Sequence, residues 1–305
     1  SHMLSNIQSP DALNFDPSEP HGAVKRQGFT EWTDNATTAG SGDFVSGLLG
    51  GTVDISGTAT IKVLASEGTK LYDLGASAVT NWPTPLTDGG SGPTITTNTP
   101  VRMVMFDDFF CIFNPGGGPY KWDGVSATGV SNLQSSGTTI NAAKGATVHK
   151  QRVYAWGVPT KLSFIYWSAG GNPEDWTTED DSGNEAIFID DGSMINGIQS
   201  SGDVLWVSKQ SANTDGTEGK IYGIFGNTPS TSTIKPVAHF SALSQEAMLN
   251  YDGVMIIASA EGVFSLSGRG IAMLSRDIQS EYLDIPNKAT ICLGRYQNQV
   301  WMAYP

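Results

Sequence analysis

The 305-residue chain is expected to be all-β, on three observations. Short apolar runs alternate with Gly, Asn, Asp, Ser and Thr throughout. The 36 Gly and 15 Pro follow no fixed period and read as turn residues. Trp, Tyr and Phe reach 10%, and such rings favour pleated, half-buried surfaces. One helical candidate, 271–283 with Ile271, Met273, Leu274, Ile278 and Tyr282, is short and reads equally as a loop around a strand.

Taken in order, six pairs of runs read as hairpins. They are 61–65 with 70–74, 101–106 with 109–113, 146–149 with 152–156, 195–199 with 204–208, 247–250 with 254–258, and 289–293 with 299–303. Their turns end at Gly68, Asp108, Gln151, Asp203, Gly253 and Asn298, at intervals of 40, 43, 52, 50 and 45 residues. That spacing is the size of a four-stranded propeller blade. A Gly followed by a short aromatic-bearing run continues several units: 118–124 with Tyr120 and Trp122, 219–224 with Tyr222, and 261–268 with Phe264. These runs are expected to be third strands.

The predicted architecture is therefore a β-propeller of about six blades of antiparallel strands, in one domain over 4–305, after a tag scar at 1–3. A sandwich or a two-domain β arrangement is the alternative. The polar stretches 84–99, 125–140, 211–219 and 227–233 are expected to be surface loops. The sixth unit stops at its second strand. Its blade is expected to be incomplete, or closed by the N-terminal segment 23–32 or by another chain, with Trp301 pairing to that neighbour.

Charge narrows the function. Seventeen Lys and Arg against 30 Asp and Glu give a formal net charge of −13. An acidic surface repels phosphate and gains little from counterion release, which argues against nucleic-acid binding. Cys111 and Cys292 each sit in an apolar run and are expected to be buried free thiols. They make neither a disulfide framework nor a zinc site.

No catalytic, cofactor-binding or metal-binding residue is assigned. Of the histidines outside the tag, His21, His149 and His239, none sits in a nucleophile-elbow or zinc pattern. His149, at a strand end beside a turn, is expected to be exposed. The acidic stretch 174–185, followed by Asp190-Asp191, lacks the alternating ligands of an EF-hand loop and reads as a solvated loop. In a strand, the adjacent pairs Asp107-Asp108 and Asp180-Asp181 would point to opposite faces, away from glycosidase geometry. The nearest stretch to a sialidase Asp box, 168–176, has Gly170 where the Asp belongs and Trp176 one residue late. Trp82, Trp122 and Trp176 are the candidates for a glycan-binding loop face, with core packing the commoner use of such rings.

Two segments resemble a known family. One runs from Val148-His149-Lys150-Gln151-Arg152-Val153-Tyr154-Ala155-Trp156-Gly157 to Phe164-Ile165-Tyr166-Trp167-Ser168 and on to Pro173 and Trp176. It is similar to a "K-x-R-hydrophobic-aromatic" strand leading to "Y-x-S", a Gly, a Pro and an aromatic. The other is the opening, 9–15 and then Gly22 to Phe29, with Gln27 where Pro is frequent. The family is that of the tail nozzle, or tail tubular, proteins of short-tailed bacteriophages, with related tail hub and stabilisation proteins. The resemblance implies a structural virion protein with no active site or cofactor, made in the host cytoplasm. It would be a propeller subunit of a homo-oligomeric ring that extends the DNA ejection channel, with adaptor, nozzle or hub subunits as partners. It leaves room for a second polypeptide fragment and implies neither membrane nor specific nucleic-acid binding. The alternative function is a glycan-binding or glycan-hydrolysing propeller, a sialidase-like tail depolymerase.

Overall fold

The structure, a computed structural model, describes residues 15–16, 24–25, 45–75, 83–90, 92–97, 99–134, 139–177, 181–189, 192–211, 219–267, 270–296 and 298–304. Two short strands, β1 (Phe15–Asp16) and β2 (Val24–Lys25), pair with each other. Six antiparallel sheets follow in chain order, each a meander of sequence neighbours. The first holds β3 (Val45–Ile55), β4 (Thr58–Glu67) and β5 (Lys70–Asp73). The second holds β6 (Arg102–Phe106), β7 (Phe109–Phe113), β8 (Tyr120–Trp122) and β9 (Ser131–Asn132). The third holds β10 (Gly145–His149), β11 (Arg152–Trp156), β12 (Phe164–Trp167) and β13 (Gly183–Ala186). The fourth holds β14 (Ser193–Ser201), β15 (Val204–Ser211), β16 (Gly219–Phe225) and β17 (Thr233–Ala238). The fifth holds β18 (Met248–Tyr251), β19 (Val254–Ala258), β20 (Val263–Ser267) and β21 (Gly270–Met273). The sixth holds β22 (Cys292–Tyr296) and β23 (Gln299–Ala303).

Side-chain alternation stacks these sheets. Each strand sends every second residue to the sheet before it and the others to the sheet after. A separate apolar cluster consequently fills each gap. Val53, Leu64, Leu71, Phe110 and Trp122 join the first sheet to the second. Phe106, Phe113, Val153 and Tyr166 join the second to the third. Trp156, Ile198, Leu205 and Tyr222 join the third to the fourth. Trp206, Met255, Ile257 and Phe264 join the fourth to the fifth. Ile256, Ala258 and Leu293 join the fifth to the sixth. The first strands touch in succession, β3 to β6, β6 to β10, β10 to β14, β14 to β18 and β18 to β22. The chain is thus all-β and propeller-like. The approach of β3 to β6 requires Gly47, where a Cβ would lie 2.3 Å from the Val101 carbonyl oxygen.

The turns joining first to second strands suit their twist. Both central residues have positive φ in Ser56-Gly57 (54° and 83°) and Asp252-Gly253 (49° and 83°). The third sheet does the same with two non-glycines, Lys150 and Gln151 (46° and 59°). That costs on the order of 1 kcal/mol per residue.

Four of the predicted hairpins are the first two strands of a sheet, and the three Gly-aromatic runs are third strands, β8, β16 and β20. The sixth keeps its second strand, but its first begins at Cys292 and not at 289, because Lys288–Thr290 forms a 3₁₀ turn. The first hairpin is displaced. It forms β4–β5, because β3 precedes it and supplies the strand that meets β6. The glycine-rich β3, with five of its residues exposed, carries too weak an alternation to read as a strand. The helical candidate splits into β21, a 3₁₀ turn at Arg276–Ile278 and a short helix, α1 (Gln279–Leu283), on which Tyr282 is buried. Two of the predicted surface loops are anchored inward, by Leu86 and Ile95 in 84–99 and by Val130, Leu133 and Ile140 in 125–140. Of the N-terminal segment 23–32, only Val24–Lys25 is described, and its partner is β1, not β23. Among the described residues the sixth sheet has two strands, within which Trp301 pairs with Gly294.

Candidate functional site

The residues weighed for chemistry are dispersed. His149 is buried, contrary to its expected exposure, because β10 lies between two sheets. Its Nδ1 is 2.8 Å from Ser200 Oγ on β14. Burial, reinforced by the neighbouring Lys150 charge and partly offset by Asp203, lowers its pKa to about 4. The ring is therefore neutral at physiological pH and a weak base. His239 is exposed, and His21 lies outside the described residues.

Asp107 and Asp108 occupy a turn, not a strand, and Asp108 Oδ1 accepts the Asp54 N–H at 2.9 Å, tying the second sheet to the first. Trp122 and Trp176 are core residues at 1% and 2% exposure, with Nε1 donating to Ser126 O and Pro173 O at 2.8 and 2.7 Å. Neither ring can offer a face to a sugar, and Trp82 lies outside the described residues. Among the described residues no group of His, Cys, Asp and Glu is placed to hold a metal.

Cys111 is buried, and desolvation, with smaller opposing effects of Lys121 and Glu174, pushes its thiol up to about 12. Cys292 is exposed, correcting the expectation of a buried thiol. The alternation that sends Leu293 to the fifth sheet turns Cys292 to the other face of the sixth.

The residues of the 148–176 segment do converge. Arg152, 8% exposed, opens β11 and donates from Nη1 to the carbonyls of Ser168 and Asp181, each at 2.9 Å. Its Nη2 pairs with the Asp181 carboxylate. Ser168 Oγ accepts the Val153 N–H at 3.1 Å. Lys150 Nζ donates to Gly226 O at 2.6 Å and Asn227 Oδ1 at 3.3 Å, binding the strained turn to a loop of the fourth sheet. Lys121 pairs with Glu174 at 2.5 Å, linking the second sheet to the β12–β13 loop. Arg152 and Lys121 therefore form a clamp on the β12–β13 loop, while Lys150 holds the loop between β16 and β17. We expect Arg152→Ala to cost about 2 kcal/mol, because two carbonyls lose their donor. It should also speed proteolytic cleavage within 168–182. Arg152→Lys should rescue neither effect, since an ammonium cannot reproduce the fork.

A second convergence spans the molecule. Arg102, at the start of β6, reaches Glu246, in the 3₁₀ turn Gln245–Ala247 before β18. Arg102 Nη2 donates to Glu246 Oε2 at 3.0 Å, and Nε lies 2.7 Å from Oε1, an ion-pair distance though off-line for a hydrogen bond. Nη1 donates to Lys144 O at 2.9 Å, and the guanidinium stacks over Trp156 at 5.4 Å. Burial alone would raise the Glu246 pKa. The Arg102 charge and hydrogen bonds from Arg102, the backbone and Ser244 together outweigh it and hold the carboxyl below its ordinary value. Next to it, Gln245 acts as a one-residue strand. Its Oε1 accepts the Ile198 N–H at 2.7 Å and its Nε2 donates to Ile198 O at 2.5 Å. The third and fourth sheets lie between the second and fifth in chain order. The pair therefore ties the second sheet to the turn that leads into the fifth.

No protein-family model matches the chain, and no curated protein sequence does. Solved structures do. The extracellular domain of the putative hybrid two-component system BT4673 from B. thetaiotaomicron superposes with a TM-score of 0.52 at 14% identity. The match covers 83% of this chain and 31% of that one, so the chain spans about a third of it. The computationally designed Ika8 protein gives 0.47 at 12% identity, covering 85% of this chain and 68% of that one. YCF48 bound to D1 peptide gives 0.43 at 12%, covering 84% and 78%. At such identities the likeness concerns the fold alone, and only the first superposition is strong enough to carry it.

Proposed function

We propose that the chain is a non-catalytic structural protein of a bacteriophage tail, a propeller subunit of about six blades in the tail nozzle or hub. The observation that carries this reading is the clamp. Arg152 and Ser168, polar residues of the segment that resembles tail nozzle proteins, hold the β12–β13 loop, and Lys150 of the same segment holds the loop between β16 and β17. The net charge of −13 supports it as well, since an acidic surface repels phosphate and would let DNA pass without gripping it. In this reading the subunits form a ring around the DNA channel.

The test is direct. The purified chain is incubated with sialosides, bacterial capsule and peptidoglycan, and titrated with duplex DNA. The expected result is no turnover above a heat-inactivated control and no DNA shift at low micromolar protein. Lower salt should not induce binding, because the dominant electrostatic effect is repulsive. Turnover would overturn the structural reading in favour of a depolymerase. Salt-sensitive DNA binding would remove the channel role.

A further inference from the structure

The third and fourth sheets are joined along their first strands by polar contacts of unequal strength. Alternation sends Val148 to the second-sheet side of β10, and Thr147 and His149 to the β14 side. Thr147 Oγ1 donates to Gln199 Oε1 and accepts the Ser200 N–H, each at 3.4 Å. The contact of His149 Nδ1 with Ser200 Oγ, at 2.8 Å, is the short one. At the other end of the two strands the seam is apolar, with Trp156 and Ile195 in one cluster. The charges around the imidazole are unbalanced. Lys150 follows it, held in place by Gly226 O and Asn227 Oδ1, and Arg152 lies opposite it across the hairpin, matched by Asp181. Tyr154 sets its ring edge-on at 5.9 Å and is neutral, desolvation having pushed its hydroxyl up to about 12. β14 carries no titratable side chain, and the turn after it brings Asp203, which is exposed and therefore weakened by water. A protonated ring would thus be buried, at 6% exposure, beside a fixed cation and with one solvated carboxylate to offset it.

We propose that His149 is an acid-sensitive latch, whose protonation releases the turn end of β14 from β10 and opens the seam between the third and fourth sheets locally, the apolar end staying closed. The inference is independent of the tail reading. Burial and the Lys150 charge, partly offset by Asp203, hold the closed ring at about 4, whereas a ring freed into water titrates at its ordinary 6.5. The open form therefore takes up the proton first. The latch contributes fully above pH 6.5, and its contribution is lost as pH falls from 6.5 toward 4. By pH 5 the difference favours opening by about 30-fold relative to neutral pH.

Amide exchange at pH 7 and pH 5, each corrected for the intrinsic rate, tests this. Protection at 199–201 should fall about 30-fold at pH 5, while 255–257 on β19 should change less than about twofold. Glu246, held below 4.5, stays ionised at that pH and does not contribute. His149→Phe keeps an uncharged ring in the seam and should abolish the fall. Should that variant misfold, the wild-type chain decides: the ring C–H resonance of His149 should titrate below pH 5. Unchanged protection at 199–201 would overturn the proposal, as would a fall that persists in His149→Phe or a ring that titrates near 6.5. Equal loss at 255–257 would mean global unfolding in place of a local latch and would overturn it too.

Discussion

Trp122→Ala is expected to destabilise the chain by about 4 kcal/mol, within the range for emptying a buried indole site. The ring is 1% exposed between the first two sheets, against Phe110 at a centroid distance of 5.5 Å, with Val53, Leu64 and Leu71 in the same cluster. Strands from two sheets line the cavity, so neither can relax into it alone. Trp122→Phe keeps most of the apolar volume but leaves Ser126 O without its donor, for a loss of about 1–2 kcal/mol. Urea unfolding followed by circular dichroism reads both values, with an unchanged m-value as the control for two-state behaviour. A near-neutral alanine variant would mean that the first sheet does not pack on the second as described.

Arg102→Ala is expected to cost about 3 kcal/mol, the low end for breaking a buried pair, because a third of the Glu246 side chain still sees solvent. The loss exceeds that of an ordinary surface pair because the guanidinium also serves Lys144 O and the Trp156 face. Glu246→Gln keeps the shape and one acceptor and should cost less, and the double variant should fall well short of the sum. The pair also imposes a pH dependence. A carboxyl held below its ordinary 4.5 in the folded chain stabilises fully above that value. Its contribution is lost as pH falls through the lower folded pKa. Wild type should therefore lose stability below about pH 4.5 more steeply than Glu246→Gln, whose side chain does not titrate. Thermal melts from neutral to acidic pH measure the difference, and parallel curves would remove the strut from the account.

Much of the β architecture was legible in the sequence because it is local. Alternating apolar runs bounded by Asp-Gly, Asp-Asp or Lys-Gln turns specify hairpins without reference to distant residues, and 109–113, 152–156, 254–258 and 299–303 are strands with those same bounds. Third strands were legible for the same reason, each being a Gly-led aromatic run one turn further on. β3 was not, since its glycines weaken the alternation and its place is set by contact with Val101 across a long loop.

What the tertiary structure alone decided is where charge and chemistry go. Arg102, Arg152 and His149 are polar residues that composition assigns to the surface, yet each is largely or fully buried. Lys209, with no exposed surface, donates to Ile187 O at 2.5 Å and Phe188 O at 2.8 Å. Such burial is tolerated only where partners wait. The partners of Arg152 and Lys209 lie in loops up to 29 residues away, and that of Arg102 lies 144 residues away. No window along the chain contains both members of the Arg102–Glu246 pair. Only the stacking of one sheet on the next brings them together.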